Sequence, residues 1–154
     1  MKAIGLIAIV AAAVSLAGFG TASAASGSAS SATSVSTGKT GLGRIIVNGQ
    51  GRTLYLFEKD KRGSSACAGT CAMYWPPLIT RGKPIAGRGV KSSLLGTIRR
   101  SNGARQVTYA GHPVYRYVLD TKAGQTNGEG LDDFGAGWDV LSPAGKKIEG
   151  GSDG

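Results

Sequence analysis

A pattern that occurs twice, sixty positions apart, constrains the fold of this chain more than any other feature of its sequence. The segment Gly51–Asp60 (GRTLYLFEKD) aligns with Gly111–Asp120 (GHPVYRYVLD), and both follow the pattern Gly-x-x-aliphatic-Tyr-x-aromatic-x-x-Asp. The match extends on both sides, backwards from Val47 to Val107 and forwards, with a small shift, from residues 75–78 (WPPL) to residues 138–141 (WDVL). A repeat of this length indicates two copies of one supersecondary unit that pack together.

Each copy has the pattern of β structure. In the first, residues 44–47 and 53–57 flank the turn Asn48-Gly49-Gln50-Gly51, which predicts a hairpin. Asn-Gly is a strong hairpin signal because both turn residues must adopt positive φ. In the second, we expect strands at residues 97–100, 105–109 and 113–118, and a last hairpin that joins residues 138–141 to residues 146–148.

Helical signal is weak, because the chain contains 26 glycines and each costs about 1 kcal/mol relative to alanine inside a helix. One short helix is predicted from Thr70 to Trp75, where Pro76 and Pro77 end it, and one further turn at residues 92–95. We therefore expect a mostly β fold: a small single domain of two pseudo-repeated β-hairpin units with one or two short helical turns.

The N-terminus has the order of a secretory signal peptide over residues 1–24. Lys2 is followed by an apolar run from Ile4 to Leu16 and by the small residues Ala22-Ser23-Ala24. This order predicts export and cleavage near Ala24. The apolar run is shorter than the ~20 residues that cross a bilayer, so we expect no transmembrane segment.

The rest of the chain divides by composition. Residues 25–40 are nearly all Ser, Ala, Thr and Gly. This predicts a flexible spacer, because such a segment buries too little to offset its ordering entropy. Residues 41–148 are expected to form the tandem-repeat β domain, with repeat one over about 43–80 and repeat two over about 103–148. Residues 149–154 are expected to be a disordered tail.

The charge balance favours anionic partners. The chain has 18 Lys and Arg against 9 Asp and Glu, and removal of Lys2 with the signal peptide leaves 17 against 9, a net charge of +8. A basic exported domain is attracted to anionic envelope polymers or to an envelope protein, although the charge could also serve only solubility. Because the basic residues look scattered along an exported chain, nucleic acid is not an expected partner.

The repeated motif supplies the candidate ligand-binding residues. They are two tyrosines, two further aromatic residues and two aspartates: Tyr55, Phe57, Asp60, Tyr115, Tyr117 and Asp120. Within a strand the aromatic positions 55 and 57 share one face while Leu54 and Leu56 take the other, which indicates burial on both faces. The motif could therefore build the core and fix a turn, or it could form an aromatic platform beside two carboxylates for a sugar or another ligand.

The two cysteines, Cys67 and Cys71, allow two interpretations. Their even number, close spacing and export favour a local disulfide. The alternative is an envelope copper-handling or redox-accessory role, in which both thiolates, Met73 and His112 would form a soft ligand set for Cu(I). His112 is the only histidine, so neither a zinc site nor a catalytic constellation stands out. We expect no cofactor, no favoured metal and no enzymatic activity.

These motifs resemble those of the secreted-repeat lipoproteins of unknown function, a family with a tandem Y-x-(F/W/Y)-x-x-D motif. The resemblance rests on that doubled motif, on Cys67-x-Gly-x-Cys71-x-x-x-Trp75-Pro-Pro and on Gly111-His112-Pro113, and it covers about residues 42–148. It implies bacterial export and a repeat fold but no reaction.

The chain departs from that family pattern at one position. Such lipoproteins carry a lipid-accepting Cys after Leu-Ala-Gly, where this chain has Phe19. We therefore expect a periplasmic or extracellular protein without a lipid anchor, acting as a non-catalytic binding or structural module of the bacterial envelope.

Overall fold

The structure is a computed structural model that describes residues 31–150, together with Gly18 and Gly20. The predicted signal peptide, apart from these two glycines, the first part of the predicted spacer and the last four residues of the predicted tail therefore lie outside the described residues. Within the described part of the chain, no helix has the length and apolar character needed to cross a membrane.

Ten short strands and two helical turns make up the described fold, which confirms the mostly β prediction. In chain order they are β1 Ser34–Thr40, β2 Gly43–Asn48, β3 Tyr55–Phe57, α1 Thr70–Tyr74, β4 Ile85–Ala86, a 3-10 turn at Ser92–Leu94, β5 Leu95–Arg99, β6 Arg105–Tyr109, β7 His112–Pro113, β8 Leu131–Asp133, β9 Ala136–Leu141 and β10 Lys147–Ile148. Both predicted helical segments are confirmed within one residue.

The strands form three small sheets. In the first, β1 lies between β2 and β4; in the second, β9 pairs with β3, β8 and β10; in the third, β6 lies between β5 and β7. Isolated β-bridges also connect the two repeats: Tyr115 of repeat two pairs with both Tyr55 and Pro77 of repeat one. The predicted last hairpin is also present, since Lys147 and Ile148 pair with Leu141 and Val140.

The prediction that the flexible spacer extends to Thr40 is wrong, because the last seven residues of that segment form β1. β1 pairs antiparallel with β2 along its length, from Val35 opposite Asn48 to Thr40 opposite Gly43. Its Val35 side chain is fully buried. Composition measures what side chains can bury, whereas β1 is held mainly by main-chain hydrogen bonds to the apolar strand β2. The first predicted tail residues are also bound, since the Gly150 N–H donates to Glu129 at 3.0 Å.

The two repeats use different turns at corresponding places. The expected Asn-Gly turn with two positive φ angles is wrong, because positive φ falls on Gly51 instead, at 79°. The Asn48 side chain builds this longer loop by accepting the N–H groups of Gln50 and Arg52, each at 2.9 Å. In repeat two the short turn does have two positive φ angles, at Ala110 (51°) and Gly111 (82°).

The strand predicted at residues 113–118 is also shorter than expected. β7 ends at Pro113, which lacks the N–H that a continued ladder on that side would use. Beyond it the chain changes partners: Val114 still bonds to Val107, but Tyr115 bonds to Tyr55 in the other repeat. The motif strand thus crosses from its own repeat to its neighbour.

Strand β3 is buried on both faces, as its sequence predicts. Tyr55 and Phe57 belong to one core cluster, which contains both tryptophans and both cysteines. Leu54 and Leu56 belong to a second cluster, formed with residues of β6 and β9 among others. The motif therefore lies between the two cores of the domain.

Candidate functional site

The two copies of the motif bind each other reciprocally. The N–H of Tyr55 donates to the carbonyl of Tyr115 at 2.9 Å, and the N–H of Tyr115 donates to the carbonyl of Tyr55 at 3.0 Å. The Tyr55 hydroxyl donates to Oδ2 of Asp120, and the Tyr115 hydroxyl donates to Oδ2 of Asp60, each at 2.6 Å. Each repeat therefore supplies the carboxylate that binds the tyrosine of the other.

Both aspartates occupy the same turn position, which supports the predicted duplication. The N–H of Asp60 donates to the carbonyl of Phe57 at 3.0 Å, and the N–H of Asp120 donates to the carbonyl of Tyr117 at 3.1 Å. Their second oxygens also have matching roles: Oδ1 of each accepts a backbone N–H further along the chain, from Ala66 at 2.6 Å and from Asn127 at 2.9 Å.

Four aromatic rings form a stacked column that also joins the repeats. The centroid distances along it are 4.1 Å from Phe57 to Trp138, 3.9 Å from Trp138 to Trp75 and 4.3 Å from Trp75 to Tyr117. Exchange of the two repeats places Phe57 on Tyr117 and Trp75 on Trp138, so the column has the same order of positions from either end. This symmetry agrees with the shifted alignment of the two Trp segments, in which Pro77 corresponds to Val140. Pro77 pairs with Tyr115, and Val140 pairs with Tyr55 in the same way.

The candidate ligand-binding residues of the motif are therefore largely inside the protein. Tyr55 and Tyr115 are fully buried, and Phe57 and Asp120 are nearly so, whereas Asp60 and Tyr117 keep partial exposure. Burial and the bonded carboxylate raise the pKa of both Tyr55 and Tyr115 far above the ordinary value. This geometry favours the interpretation in which the motif builds the core and fixes a turn. The ligand platform stays a prediction, with only Asp60 and Tyr117 partly accessible.

Cys67 and Cys71 are joined as a disulfide, with their Cα atoms 5.3 Å apart. Gly69, at φ 59°, allows the tight turn between them. Of the other residues in the copper alternative, Met73 is 72% exposed, and His112 lines a different cavity from the one that Cys67 lines. The structure thus does not bring the four candidate copper ligands together.

The cavity that His112 lines is an acidic one. It measures about 410 Å³ and also contains Glu58, Asp60 and Lys147. Lys147 binds Glu58 at 2.7 Å, and this ion pair lowers the pKa of Glu58. Burial, and next the neighbouring Glu58, raise the pKa of Asp139 to about 6. Among the residues that the structure describes, no hydrogen-bond partner is found for its Oδ2 atom.

A basic segment is the feature that whole-chain charge counting missed. The segment from Lys61 to Leu119 contains ten basic residues and no Asp or Glu, so all the acidic residues lie outside it. These ten are Lys61, Arg62, Arg81, Lys83, Arg88, Lys91, Arg99, Arg100, Arg105 and Arg116. Counting charges by segment would have found this signal. That five of the ten line neighbouring cavities could be found only from the structure.

Three adjoining cavities with basic linings form what we call the basic groove. The largest, about 520 Å³, is lined by Lys83 and Arg105; the next, about 390 Å³, by Arg81, Arg99 and Arg105. The smallest, about 180 Å³, is lined by Arg99 and Arg100. Shared arginines therefore connect the cavities in a row. Within residues 31–150 the only ion pairs are those of Lys147, so the groove keeps its charge.

Comparison with known proteins identifies a family. A family model described as a secreted repeat of unknown function matches residues 36–79 and 96–142. The two matched segments contain the two copies of the Tyr motif, and the first begins within β1. No curated protein and no solved structure matches the chain.

Proposed function

The chain belongs to the family of secreted repeats of unknown function, and from that premise we propose that it is an exported module that binds anionic polymers of the bacterial envelope through the basic groove. The single observation that carries this proposal is the row of three cavities lined by arginine and lysine, without an ion pair to any described carboxylate.

The shape of the groove favours a polymer over a compact ligand. Its cavities share Arg105 and Arg99 in turn, so one extended chain can contact all three. Unneutralised charges that lie close together produce a local positive potential, which concentrates anionic chains and accelerates their association. An arginine is suited to this task because its fork of N–H donors matches the oxygens of anionic groups.

We propose binding rather than catalysis for this module. The motif carboxylates are already bonded to tyrosine hydroxyls and backbone N–H groups. Asp60 and Asp120 therefore serve the fold, and the two cysteines serve as a staple that holds the segment beside the groove. The folded repeat pair then acts as a rigid support on which the basic groove is displayed.

Removal of the signal peptide near Ala24 would release the module into the periplasm or the medium. Because Phe19 stands where the related lipoproteins carry their lipid-accepting Cys, the mature chain should begin near Ala25 and lack acyl chains. Intact-mass analysis of envelope and medium fractions measures this. An acylated N-terminus would refute the proposed route.

The proposed function is tested with two labelled anionic polymers of equal charge, one bearing phosphate and one bearing carboxylate groups. Substitution of both Arg81 and Arg105 by Gln should weaken binding of the better polymer roughly tenfold or more, since charge-assisted hydrogen bonds are lost. The matched control removes two exposed charges outside the groove, by Lys39→Gln and Arg44→Gln, and should retain most of the affinity.

The salt dependence supplies a second readout of the same experiment. Binding should weaken steeply between about 50 and about 200 mM salt, because screening shortens the reach of exposed charges. Equal losses in the groove variant and the control variant would indicate a response to net charge alone and would overturn the proposed site. Absence of binding to either polymer would overturn the function.

A further inference from the structure

The smallest cavity of the basic groove is large enough for a single anionic group. It lies between the loop at residues 63–68 and the turn at residues 99–101, and its lining residues are Gly63, Ser64, Ser65, Cys67, Ala68, Arg99, Arg100 and Ser101. Its volume of about 180 Å³ is that of roughly six waters at about 30 Å³ each. A pocket for a whole drug-sized ligand starts at about 300 Å³.

Arg100 is held in place in this cavity without losing its charge. Its Nη1 donates to Oε1 of Gln106 at 2.7 Å and to Oγ of Ser65 at 3.0 Å, and its Nη2 donates to the carbonyl of Cys67 at 2.6 Å. All three acceptors are neutral. A guanidinium has five N–H donors, so two remain for a ligand. Asp60 is the nearby carboxylate; burial raises its pKa, and the positive charge of Arg100 is among the weaker influences that act in the opposite direction.

The groups that hold Arg100 are themselves fixed. Gln106 is fully buried, and its amide N–H donates to the carbonyl of Val114 at 2.9 Å. Ser65 is bonded to the Tyr115 hydroxyl at 2.7 Å, and the disulfide to α1 restrains Cys67. A binding group that is oriented before the ligand arrives loses little conformational freedom on binding. The reciprocal motif and the staple thus preorganise this cavity.

The other polar residues that line the cavity belong to two walls. Ser64 lies on the loop wall, whereas Arg99 and Ser101 lie on the turn wall beside Arg100. Two guanidinium groups and two hydroxyls around one small space suit a tetrahedral anion, whose oxygens point in several directions. A carboxylate presents only two oxygens in one plane and can satisfy fewer of them.

We propose that this cavity binds one phosphate group, so that the polymer in the basic groove is a phosphate-bearing one. The inference rests on the proposed function and adds the chemical class of the ligand. Arg100 is the anchor, and Arg99 and Ser101 complete the site from the turn, while the rest of the groove binds the neighbouring part of the polymer.

The first test titrates the full mature chain with inorganic phosphate and, at the same ionic strength, with acetate, by calorimetry or NMR. Phosphate should bind saturably and acetate should not. Arg99→Gln should weaken phosphate binding roughly tenfold, as expected for a lost hydrogen bond to a charged group, and Ser101→Ala should weaken it severalfold. Both residues are exposed, so these variants should fold. The matched control Arg44→Gln, which removes an exposed charge outside the groove, should change phosphate binding less than twofold.

The second test uses the two polymers and separates the two proposals. The phosphate polymer should bind about tenfold better than the carboxylate polymer, and Arg99→Gln should abolish that preference. Equal binding of both polymers, with equal losses in Arg99→Gln and Arg81→Gln, would overturn the phosphate site and leave the polymer function standing. Binding of free phosphate without either polymer would overturn the function and retain the site. Phosphatidylglycerol vesicles, which carry the same phosphate chemistry, should bind more weakly than the phosphate polymer. The reverse order would overturn the assignment of the bound phosphate group to a polymer and would favour a lipid.

Discussion

Removing one hydroxyl group from each motif tyrosine should have unequal effects on stability. In Tyr55→Phe, Oδ2 of Asp120 loses its partner at 2.6 Å, and Asp120 is only 3% exposed, so water cannot replace the hydroxyl. The loss of a hydrogen bond to a charged group costs about 1.5–3 kcal/mol. The N–H of Gly128, which donates to the same hydroxyl at 3.2 Å, also loses its acceptor. We expect the free energy of unfolding to fall by about 3 kcal/mol.

Tyr115→Phe removes the corresponding hydroxyl from the other repeat. Its partner Asp60 is partly exposed, so water can take the place of the lost donor. We therefore expect a smaller cost, about 1 kcal/mol. The control Tyr74→Phe changes a hydroxyl on a side chain that is 52% exposed, and it should stay within about 0.5 kcal/mol of the parent.

The measurement is urea unfolding at neutral pH with the disulfide intact, followed by the fluorescence of the two buried tryptophans. A double-mutant cycle between Tyr55→Phe and Asp120→Asn isolates the exchanged contact and should give a coupling of about 1–3 kcal/mol. Additive effects in this cycle would refute the exchange of contacts between the repeats, and an equal cost for the two tyrosines would refute the argument from the burial of Asp120.

Three further perturbations test other parts of the fold. Gly128→Ala would place a Cβ atom 2.7 Å from the Trp75 ring and should destabilise by about 1–3 kcal/mol, whereas Gly41→Ala, with open space around it, should be tolerated. The disulfide should protect both cysteines from alkylation until it is reduced, and Cys67→Ala should lower the free energy of unfolding by about 2 kcal/mol, because the closed loop is short. Stoichiometric uptake of Cu(I) by freshly isolated protein would contradict a structural disulfide and favour the copper alternative. The pKa of Asp139 is raised from 3.8 for the free side chain to about 6 in the folded protein. Between these pH values the folded state binds more protons than the unfolded state, so the stabilising contribution of Asp139 is complete at low pH and is lost as the pH rises through about 6. Asp139→Asn should flatten this part of the stability profile, and an unchanged slope between about pH 4 and about pH 6 would show that another group causes it.

The local architecture could be predicted from the sequence because it depends on short-range patterns. Alternation around Tyr55 placed the aromatic residues and the leucines on opposite faces of β3, and the duplicated pattern predicted the matching turns at Asp60 and Asp120. The short helix from Thr70 was predicted because two prolines follow it closely. Each of these inferences uses residues that are neighbours along the chain.

The contacts between the repeats could not be predicted in the same way. The spacing within one motif is compatible with Tyr55 binding Asp60 of its own repeat, and only the crossing of the chains at Tyr115 assigns it to Asp120. β1 was missed because its stability comes from main-chain pairing with β2, to which composition is insensitive. Arg100 was missed because its role depends on the groups that surround it in space.

Chemical-shift mapping of the isotope-labelled mature chain with the phosphate polymer locates the bound polymer on the protein surface. We expect the amide shifts to concentrate at the three parts of the basic groove, residues 63–68, 81–84 and 99–105, and Arg99→Gln to remove those of the first part. Shifts centred instead on the acidic cavity around Glu58 and His112, or spread evenly over the surface, would contradict this expectation.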